Sequence, residues 1–334
     1  MRRKKIKQGI DGINFGMQLK RPSLSLLTSP PKATYNEYEE KIVEISITRG
    51  KVKGFCNLPR MIRPNNVIPY GVLDLETLSE IRSQLTDFIC SYLSEQINYQ
   101  YNPKVLEELL IDQLECNITL PCVGKCTPND VMSLINIAIS NNHDNVLYQR
   151  SSPICVYEKE NTLLKIIQKN EYYMKIYNKS LEQQRKRNNF IKDNLLRIEI
   201  VFLKRRLERF LSKRRSLNDL LTVDSLLKVF KEYSYVLCEE TIRQQINPCL
   251  IFCRDKLYHA LVDIPSVYKT DQLLAKCHQF VVDIEVLREA IRKFDKHNSR
   301  SKDNSRQRIG KIKKKYELPQ DVIKTIRQFK LASI

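Results

Sequence analysis

Hydrophobic and polar residues alternate in several short stretches of the amino-terminal part of the chain. In 42–48 every second residue is apolar, and the turn Arg49-Gly50-Lys51 separates this stretch from a matching one at 52–57, which predicts a hairpin. The same alternation predicts strands at 114–120, 172–178 and 195–203, and a further short strand is predicted at 10–15. Strands of a parallel sheet read instead as continuous apolar runs, so this pattern favours an antiparallel sheet with one buried face.

Apolar residues spaced three and four apart predict a helix that begins at Asp74, and this spacing dominates after about residue 205. Thr127-Pro128-Asn129-Asp130 and Ser216-Leu217-Asn218-Asp219 are capping boxes, each followed by an apolar stripe, so a helix is predicted to begin at both. Further helical patterns cover 239–260, 270–296 and 318–331. We therefore predict an α+β fold, in which a central antiparallel sheet has helices packed on one face and is followed by a mainly α-helical C-terminal module.

The changes of pattern along the chain also predict loops and domain boundaries. Arg21–Pro31 contains three Pro and is predicted to be a loop, and the polar stretch 182–189 a loop or an exposed hairpin arm. We expect a basic arm at 1–9, an α+β domain at 10–205, a helical module at 206–298, a basic linker or arm at 299–316 and a C-terminal helix at 317–334.

The chain carries a large excess of positive charge, with 57 Lys+Arg against 38 Asp+Glu and a net charge of +19. Such a surplus points to a polyanionic partner, most often nucleic acid and less often an anionic membrane surface. No apolar run of about 18 residues occurs, and the basic start is not followed by the apolar segment of a signal peptide. The 10 Cys are too sparse for a disulfide scaffold. We expect a cytoplasmic protein with no membrane partner.

Several common catalytic motifs are absent from the sequence. It has neither a P-loop nor a dinucleotide fingerprint, and with 8 Gly a phosphate-cradling loop is not expected. Two C-x3-C pairs, Cys122 with Cys126 and Cys249 with Cys253, would have to meet to form a zinc site. Free cysteines that pack as small buried hydrophobic residues are the simpler interpretation.

The polar face of the predicted sheet is the remaining candidate for chemistry. If the alternation holds, it carries Glu115, Lys175, Tyr177, Arg197 and Glu199. A carboxylate on each of two strands suits a hard divalent ion such as Mg²⁺ or Mn²⁺. A tyrosine beside that ion could attack a phosphodiester, because a nearby cation helps to form the phenolate. The alternative is that these residues are ordinary solvated neighbours across the strands.

Tyr177-Asn178-Lys179-Ser180-Leu181-Glu182, followed by Leu195-Leu196-Arg197-Ile198-Glu199-Ile200, resembles the Y-x-K-x-x-E … L-R-x-E pattern of rolling-circle replication initiators of the filamentous-phage gene II type. Other segments similar to that family occur in the same order: Ile10-Asp11-Gly12-Ile13, Asn57-Leu58-Pro59-Arg60, Asn65-Asn66-Val67 and Leu114-Glu115-Cys116-Asn117-Ile118-Thr119. The similarity covers roughly residues 10–235.

The resemblance implies an enzyme that nicks one DNA strand at an origin, stays attached to the 5′ phosphate, and leaves a 3′ hydroxyl for a polymerase. It makes Tyr177 the nucleophile and Lys179, Glu182 and Arg197 catalytic motif positions. The expected substrate is single-stranded or hairpin origin DNA, with Mg²⁺ or Mn²⁺ as cofactor and a host helicase and polymerase as further candidate partners. This function is the leading hypothesis.

Three points stay open at this stage. Glu115 and Glu199 are the candidate metal ligands by position and face, since the chain lacks the H-x-H pair of related initiators. Tyr173 shares a face with Tyr177 and is an alternative nucleophile. A non-catalytic DNA-binding replication or copy-control protein on the same fold is the alternative function, and an RNA-binding protein is a weaker one. Candidate DNA-binding residues are Lys175, Arg300, Lys302, Arg306, Arg308, Lys311, Lys313, Lys314 and Lys315.

Overall fold

The structure is a computed structural model of the chain. It describes residues 8–20, 22–62, 74–141, 154–158, 163–187, 194–211, 215–263, 274, 277–298 and 302–331. Among the helices in these ranges, none combines the length and the apolar character needed to cross a bilayer.

One antiparallel sheet of nine strands organises the described part of the chain, in the order β2-β3-β4-β1-β5-β9-β8-β7-β6. The strands are β1 (Gln8–Gln18), β2 (Ser29–Tyr35), β3 (Lys41–Thr48), β4 (Lys51–Asn57), β5 (Leu110–Pro121), β6 (Ile154–Glu158), β7 (Leu163–Gln168), β8 (Tyr172–Asn178) and β9 (Leu195–Leu203). Their antiparallel pairing and the helices around them confirm the predicted α+β fold.

The β3–β4 hairpin shows how local sequence sets the register of the sheet. Thr48 pairs with Lys51, so Arg49 and Gly50 alone form the turn, with φ of 50° and 68°. Two positive φ values are what a two-residue hairpin turn requires, and glycine adopts them without strain. This turn was correctly predicted from Arg49-Gly50-Lys51.

Helices pack over the apolar face of the sheet and form one continuous hydrophobic core with it. The helices are α1 (Leu58–Ile62), α2 (Leu75–Ile97), α3 (Val105–Glu108), α4 (Pro128–Asn141), α5 (Lys179–Arg187), α6 (Lys204–Phe210), α7 (Leu217–Leu220), α8 (Val223–Tyr235), a π-helix (Val236–Ile246), α9 (Asn247–Asp263), α10 (Ile284–His297), α11 (Lys302–Lys315) and α12 (Val322–Leu331). Of these, α5 contributes none of its described side chains to the core. The predicted caps hold: Asp74 accepts from Thr77 N, and Ser216 from Asp219 N. The helical C-terminal region reaches the sheet directly, since Tyr233 Oη donates to Ile198 O at 2.9 Å.

Two loop predictions were wrong. The stretch 182–189 was predicted to be a loop or hairpin arm, but α5 runs through most of it. The helix was missed because the residues it buries, Lys179 and Gln183, are polar and leave no apolar stripe. Ser29–Tyr35 forms β2, so the end of the predicted loop Arg21–Pro31 is a strand.

The basic segment also differs from its prediction as a solvated linker, because Lys302–Lys315 is the helix α11. Ile309 and Ile312 are buried on one side of it, and Arg308 Nη1 lies 2.9 Å from Asp295 Oδ1 on α10. A helix that buries two apolar residues and forms an ion pair with its neighbour packs against the protein. The alternative prediction, an arm that contacts DNA, stays a prediction.

Candidate metal centre

A β-bulge in β1 positions the first acidic residue of the site. Ile10 pairs with Cys116 and Ile13 with Leu114, so Asp11 and Gly12 together oppose the single residue Glu115. Bulges of this kind redirect side chains and are common beside active sites. Here the bulge places Asp11 with Glu115, where the Asn57 amide donates to Asp11 Oδ1 at 3.0 Å.

Glycine in this bulge packs closely against an aromatic ring. A Cβ at Gly12 would lie 2.9 Å from Phe55 Cε2 and 3.8 Å from Glu115 Cβ. The first distance is shorter than the nonbonded contacts that Cβ atoms make in folded proteins. Any side chain at residue 12 would therefore displace the aromatic ring next to the acidic residues.

Three carboxylates meet on adjacent strands at this point. Asp11 on β1, Glu115 on β5 and Glu199 on β9 each offer an oxygen, and these oxygens all lie within 4.8 Å of one another. Asp11 and Glu199 are buried, whereas the Glu115 side chain is 24% exposed. A compact set of carboxylate oxygens is the chemistry that hard divalent cations prefer.

Two basic side chains lie against the carboxylates. Lys175 Nζ is 3.2 Å from both Glu115 Oε2 and Glu199 Oε2, and so bridges two of the three acids. The fully buried Arg197 places Nη1 3.9 Å from Asp11 Oδ2 and Nε 3.8 Å from Glu199 Oε1. Three acids against two bases leave one formal negative charge when all five groups are ionised.

The protonation of Glu115 reflects this surplus of negative charge. Burial, together with the charges of Glu199 and Asp11, raises the pKa of Glu115 from 4.5 to about 8. Burial alone would lower the pKa of Lys175, but the two glutamates outweigh it and raise that pKa. The centre therefore favours an additional positive charge, either a proton on Glu115 or a bound cation.

Tyr177 completes the centre. Its Oη donates a hydrogen bond to Glu199 Oε1, and in the β8–β9 register it pairs with Arg197. Burial and the Glu199 carboxylate raise the pKa of Tyr177 well above its ordinary value, while the Arg197 guanidinium acts in the opposite direction. The phenol is protonated at neutral pH, and its proton points at a carboxylate that could accept it.

Lys179 and Glu182 form an ion pair beside the tyrosine, in the first turn of α5. Lys179 is buried, with Nζ 5.8 Å from the Tyr177 ring centroid. Burial and the nearby Arg197 lower the pKa of Lys179. The pair therefore fixes the start of α5 against the ring of Tyr177.

The structure brings together the predicted residues Glu115, Lys175, Tyr177, Arg197 and Glu199, with Lys179 and Glu182 at the edge. Asp11 was missed. The bulge interrupts the alternation at that position, so no periodic signal places its side chain on the polar face.

Tyr173, the alternative nucleophile, takes no part in the hydrogen bond between Tyr177 and Glu199. Its half-buried ring contacts two ammonium groups, with Lys165 Nζ 5.2 Å and Lys175 Nζ 5.7 Å from the ring centroid. Burial raises its pKa as well. The two tyrosines thus share a strand face but have different polar partners.

The candidate DNA-binding residues are not gathered at the acidic centre. Lys175 is held by Glu115 and Glu199 rather than presented to solvent alone. Arg306, Lys311 and Lys315 are exposed on α11, which also carries Lys302, Lys313 and Lys314. Arg308 forms its ion pair with Asp295, and Arg300 lies outside the described residues.

The cysteine pairs do not form a zinc site in the part of the chain that the structure describes. The acidic triad is the one group there of three or more His, Cys, Asp or Glu side chains close enough to share an ion. Cys249 and Cys253 are buried on α9 with their sulfur atoms 3.9 Å apart. They behave as the small hydrophobic residues that the simpler interpretation expected.

The fold and the site define an α+β protein whose central antiparallel sheet carries a buried carboxylate–tyrosine centre on its polar face. No family model and no curated protein matches this chain.

Proposed function

We propose that the protein nicks and rejoins one DNA strand at a replication origin, with Tyr177 as the nucleophile, and so initiates rolling-circle replication of a phage or plasmid. The observation that carries the proposal is the hydrogen bond from Tyr177 Oη to Glu199, one of three carboxylates that could hold a divalent ion. The ordered motifs at 177–182 and 195–200 give it independent support.

The chemistry follows from the partners of Tyr177. Its Oη attacks phosphorus while Glu199 Oε1, which already accepts its hydrogen bond, takes the proton. The bond from phosphorus to the 3′ oxygen breaks, and that oxygen takes up a proton to become the 3′ hydroxyl. The phosphotyrosine retains the energy of the broken bond, so attack by a 3′ hydroxyl reverses the step and reseals the strand.

The charges around the phenol suit this reaction. The Arg197 guanidinium lies beside Tyr177 and opposes the burial that disfavours the phenolate. Asp11, Glu115 and Glu199 would hold Mg²⁺ or Mn²⁺, which supplies positive charge to phosphate oxygens in the transition state. The raised pKa of Glu115 fits this assignment, because a bound cation relieves the carboxylate repulsion.

A binding surface for single-stranded or hairpin DNA is part of the proposal. The net charge of +19 favours phosphate contacts, and we assign these contacts to exposed residues of α11 such as Arg306 and Lys311. We place these residues in binding rather than in cleavage.

A covalent-adduct assay tests the proposal. Single-stranded oligonucleotides labelled at the 3′ end and tiling the replicon that encodes the protein are incubated with it and Mn²⁺, then separated on a denaturing gel. The wild type should give a shifted band that Tyr177→Phe abolishes and Tyr173→Phe keeps. Tyr173→Phe is the matched control, because it removes a phenol oxygen from the same strand face. DNA affinity in both variants should stay within about twofold of the wild type.

Each other outcome has a defined meaning. A band that persists in Tyr177→Phe but disappears in Tyr173→Phe moves the nucleophile to Tyr173. No band with Mg²⁺ or Mn²⁺ across the replicon favours the non-catalytic DNA-binding protein. One observation fits that second function: Lys175 already bridges Glu115 and Glu199, so the carboxylates have a cation without metal.

A further inference from the structure

Asn117, in the middle of β5, has a buried side-chain amide with no hydrogen-bond partner among the described residues. Its side chain is 1% exposed, and neither Oδ1 nor Nδ2 makes a hydrogen bond within the ranges that the structure describes. Burial of an unpaired amide is unfavourable, and nearly all buried polar groups in folded proteins have a partner. A group of this kind inside a sheet therefore requires an explanation.

The position of Asn117 places it in the acidic centre. It follows Glu115 by two residues on β5 and so shares its face, and it is directly opposite Glu199 in the β5–β9 register. Residues opposite each other on neighbouring strands have Cβ atoms about 5 Å apart. On the other side Asn117 is opposite Gly9 of β1, which has no side chain to offer as a partner.

The carboxylate oxygens on this face already accept hydrogen bonds from other donors. Glu199 Oε1 accepts from Tyr177 and Glu199 Oε2 from Lys175, while Glu115 Oε2 also accepts from Lys175. Asn117 therefore shares a strand face with these carboxylates, yet its side chain has no hydrogen-bond partner in the part of the chain that the structure describes.

We propose that Asn117 is the fourth protein ligand of the divalent cation, through its Oδ1 atom. This inference rests on the proposed metal site of Asp11, Glu115 and Glu199. Hard cations accept amide oxygens alongside carboxylates, and a set of three carboxylates and one amide leaves about two of the six positions of Mg²⁺ or Mn²⁺ for water or a substrate phosphate oxygen.

Thr119 provides a matched control on the same strand. It lies two residues further on the same face of β5, and its Oγ1 also makes no hydrogen bond within the described ranges. It is opposite Arg197 rather than a carboxylate. An unpaired oxygen next to a guanidinium is not positioned to bind a cation, so Thr119→Val removes a comparable group without removing a ligand.

The test measures Mn²⁺ binding to the full chain without DNA, by titration after metal removal, alongside urea unfolding in EDTA. Asn117→Leu should weaken Mn²⁺ binding at least about tenfold, and its unfolding midpoint in EDTA should equal or exceed that of the wild type. Thr119→Val should bind Mn²⁺ within about twofold of the wild type. Asn117→Asp keeps an oxygen at the same place and should bind at least as tightly as the wild type, so it tests the ligand role even if Asn117→Leu fails to fold.

The inference is overturned if Asn117→Leu binds Mn²⁺ like the wild type, if Asn117→Asp loses binding, or if the wild type binds no Mn²⁺. Glu115→Gln distinguishes a site without Asn117 from the absence of any carboxylate site. If Glu115→Gln loses Mn²⁺ binding while Asn117→Leu keeps it, the carboxylates bind the ion and Asn117 is not a ligand. The proposed DNA reaction is judged separately. A chain that binds Mn²⁺ through Asn117 but forms no DNA adduct disproves the transesterase and keeps this ligand.

Discussion

The charge of Glu115 should control how the stability of the metal-free protein depends on pH. Its side chain lies beside Glu199 and Asp11, and the pKa in the folded state is raised from 4.5 to about 8. A folded protein that binds a proton more tightly than the unfolded chain loses stability as the pH rises between these two values. Glu115→Gln keeps the shape of the protonated side chain and removes the titration, so the variant should avoid this loss.

The magnitude follows from the change in pKa. At about 1.4 kcal/mol for each pH unit, a rise from 4.5 to about 8 corresponds to a loss of about 5 kcal/mol at pH 9 and about 2 kcal/mol at pH 6. Because 24% of the Glu115 side chain is exposed, solvent screens the repulsion, and these figures are upper limits. The free energy of unfolding of Glu115→Gln should exceed that of the wild type increasingly from pH 6 to pH 8, and then by a constant amount.

Urea denaturation in EDTA at intervals from pH 6 to pH 9 measures this difference. Glu107→Gln serves as the control, because Glu107 is exposed on α3 and its replacement should change stability by the same small amount at every pH. If the difference between Glu115→Gln and the wild type does not vary with pH, burial and the neighbouring carboxylates do not raise the pKa of Glu115. Saturating Mn²⁺ should reverse the order of stability, since the ion binds the ionised wild type more tightly.

Three further predictions concern the fold and DNA binding. Tyr233→Phe leaves a buried carbonyl, Ile198 O, without its phenol donor, and should lower the free energy of unfolding by about 1 kcal/mol in urea denaturation. Arg206 is buried and forms ion pairs of 2.5 Å with Glu232 and 2.7 Å with Glu240. Because Arg206→Met leaves these carboxylates uncompensated, it should lower the free energy of unfolding by about 3 kcal/mol in the same assay. Replacing Arg306 and Lys311 with Gln should weaken the salt dependence of binding to single-stranded DNA. The slope of log affinity against log salt concentration should become shallower by about 0.7 for each phosphate that the variant no longer neutralises. An unchanged slope would exclude both residues from the interface.

The central strands were predictable because each has one apolar and one polar face. At 114–120, 172–178 and 196–200 the alternation is regular, so both the strand and the face of each side chain followed from the sequence. The end of β9 is different, because Val201 and Leu203 are apolar on the face that carries Arg197 and Glu199. Strands β6 and β7 were not predicted, since Leu163–Gln168 is nearly continuously apolar and gives no period of two. Alternation identifies half-buried strands better than strands of other patterns.

The candidate site was predictable to the same extent and for the same reason. Glu115 and Glu199 lie on regular strands, so their alternation alone places them on one face. Asp11 lies in a bulge, which shifts the register by one residue and leaves no periodic signal. Asn117 lies on a regular strand as well, but an amide shows its importance only when its partners can be counted.

The place of β1 in the sheet has a consequence for how the protein folds and can be handled. This strand lies between β4 and β5, and the triad joins residues 11, 115 and 199. Contacts between such distant parts of a chain form slowly during folding, because the entropy of closing long loops is lost before the contacts stabilise the structure. Deleting residues 8–18 would remove an interior strand and split the sheet into two parts. Truncation variants should therefore retain residues 8–18.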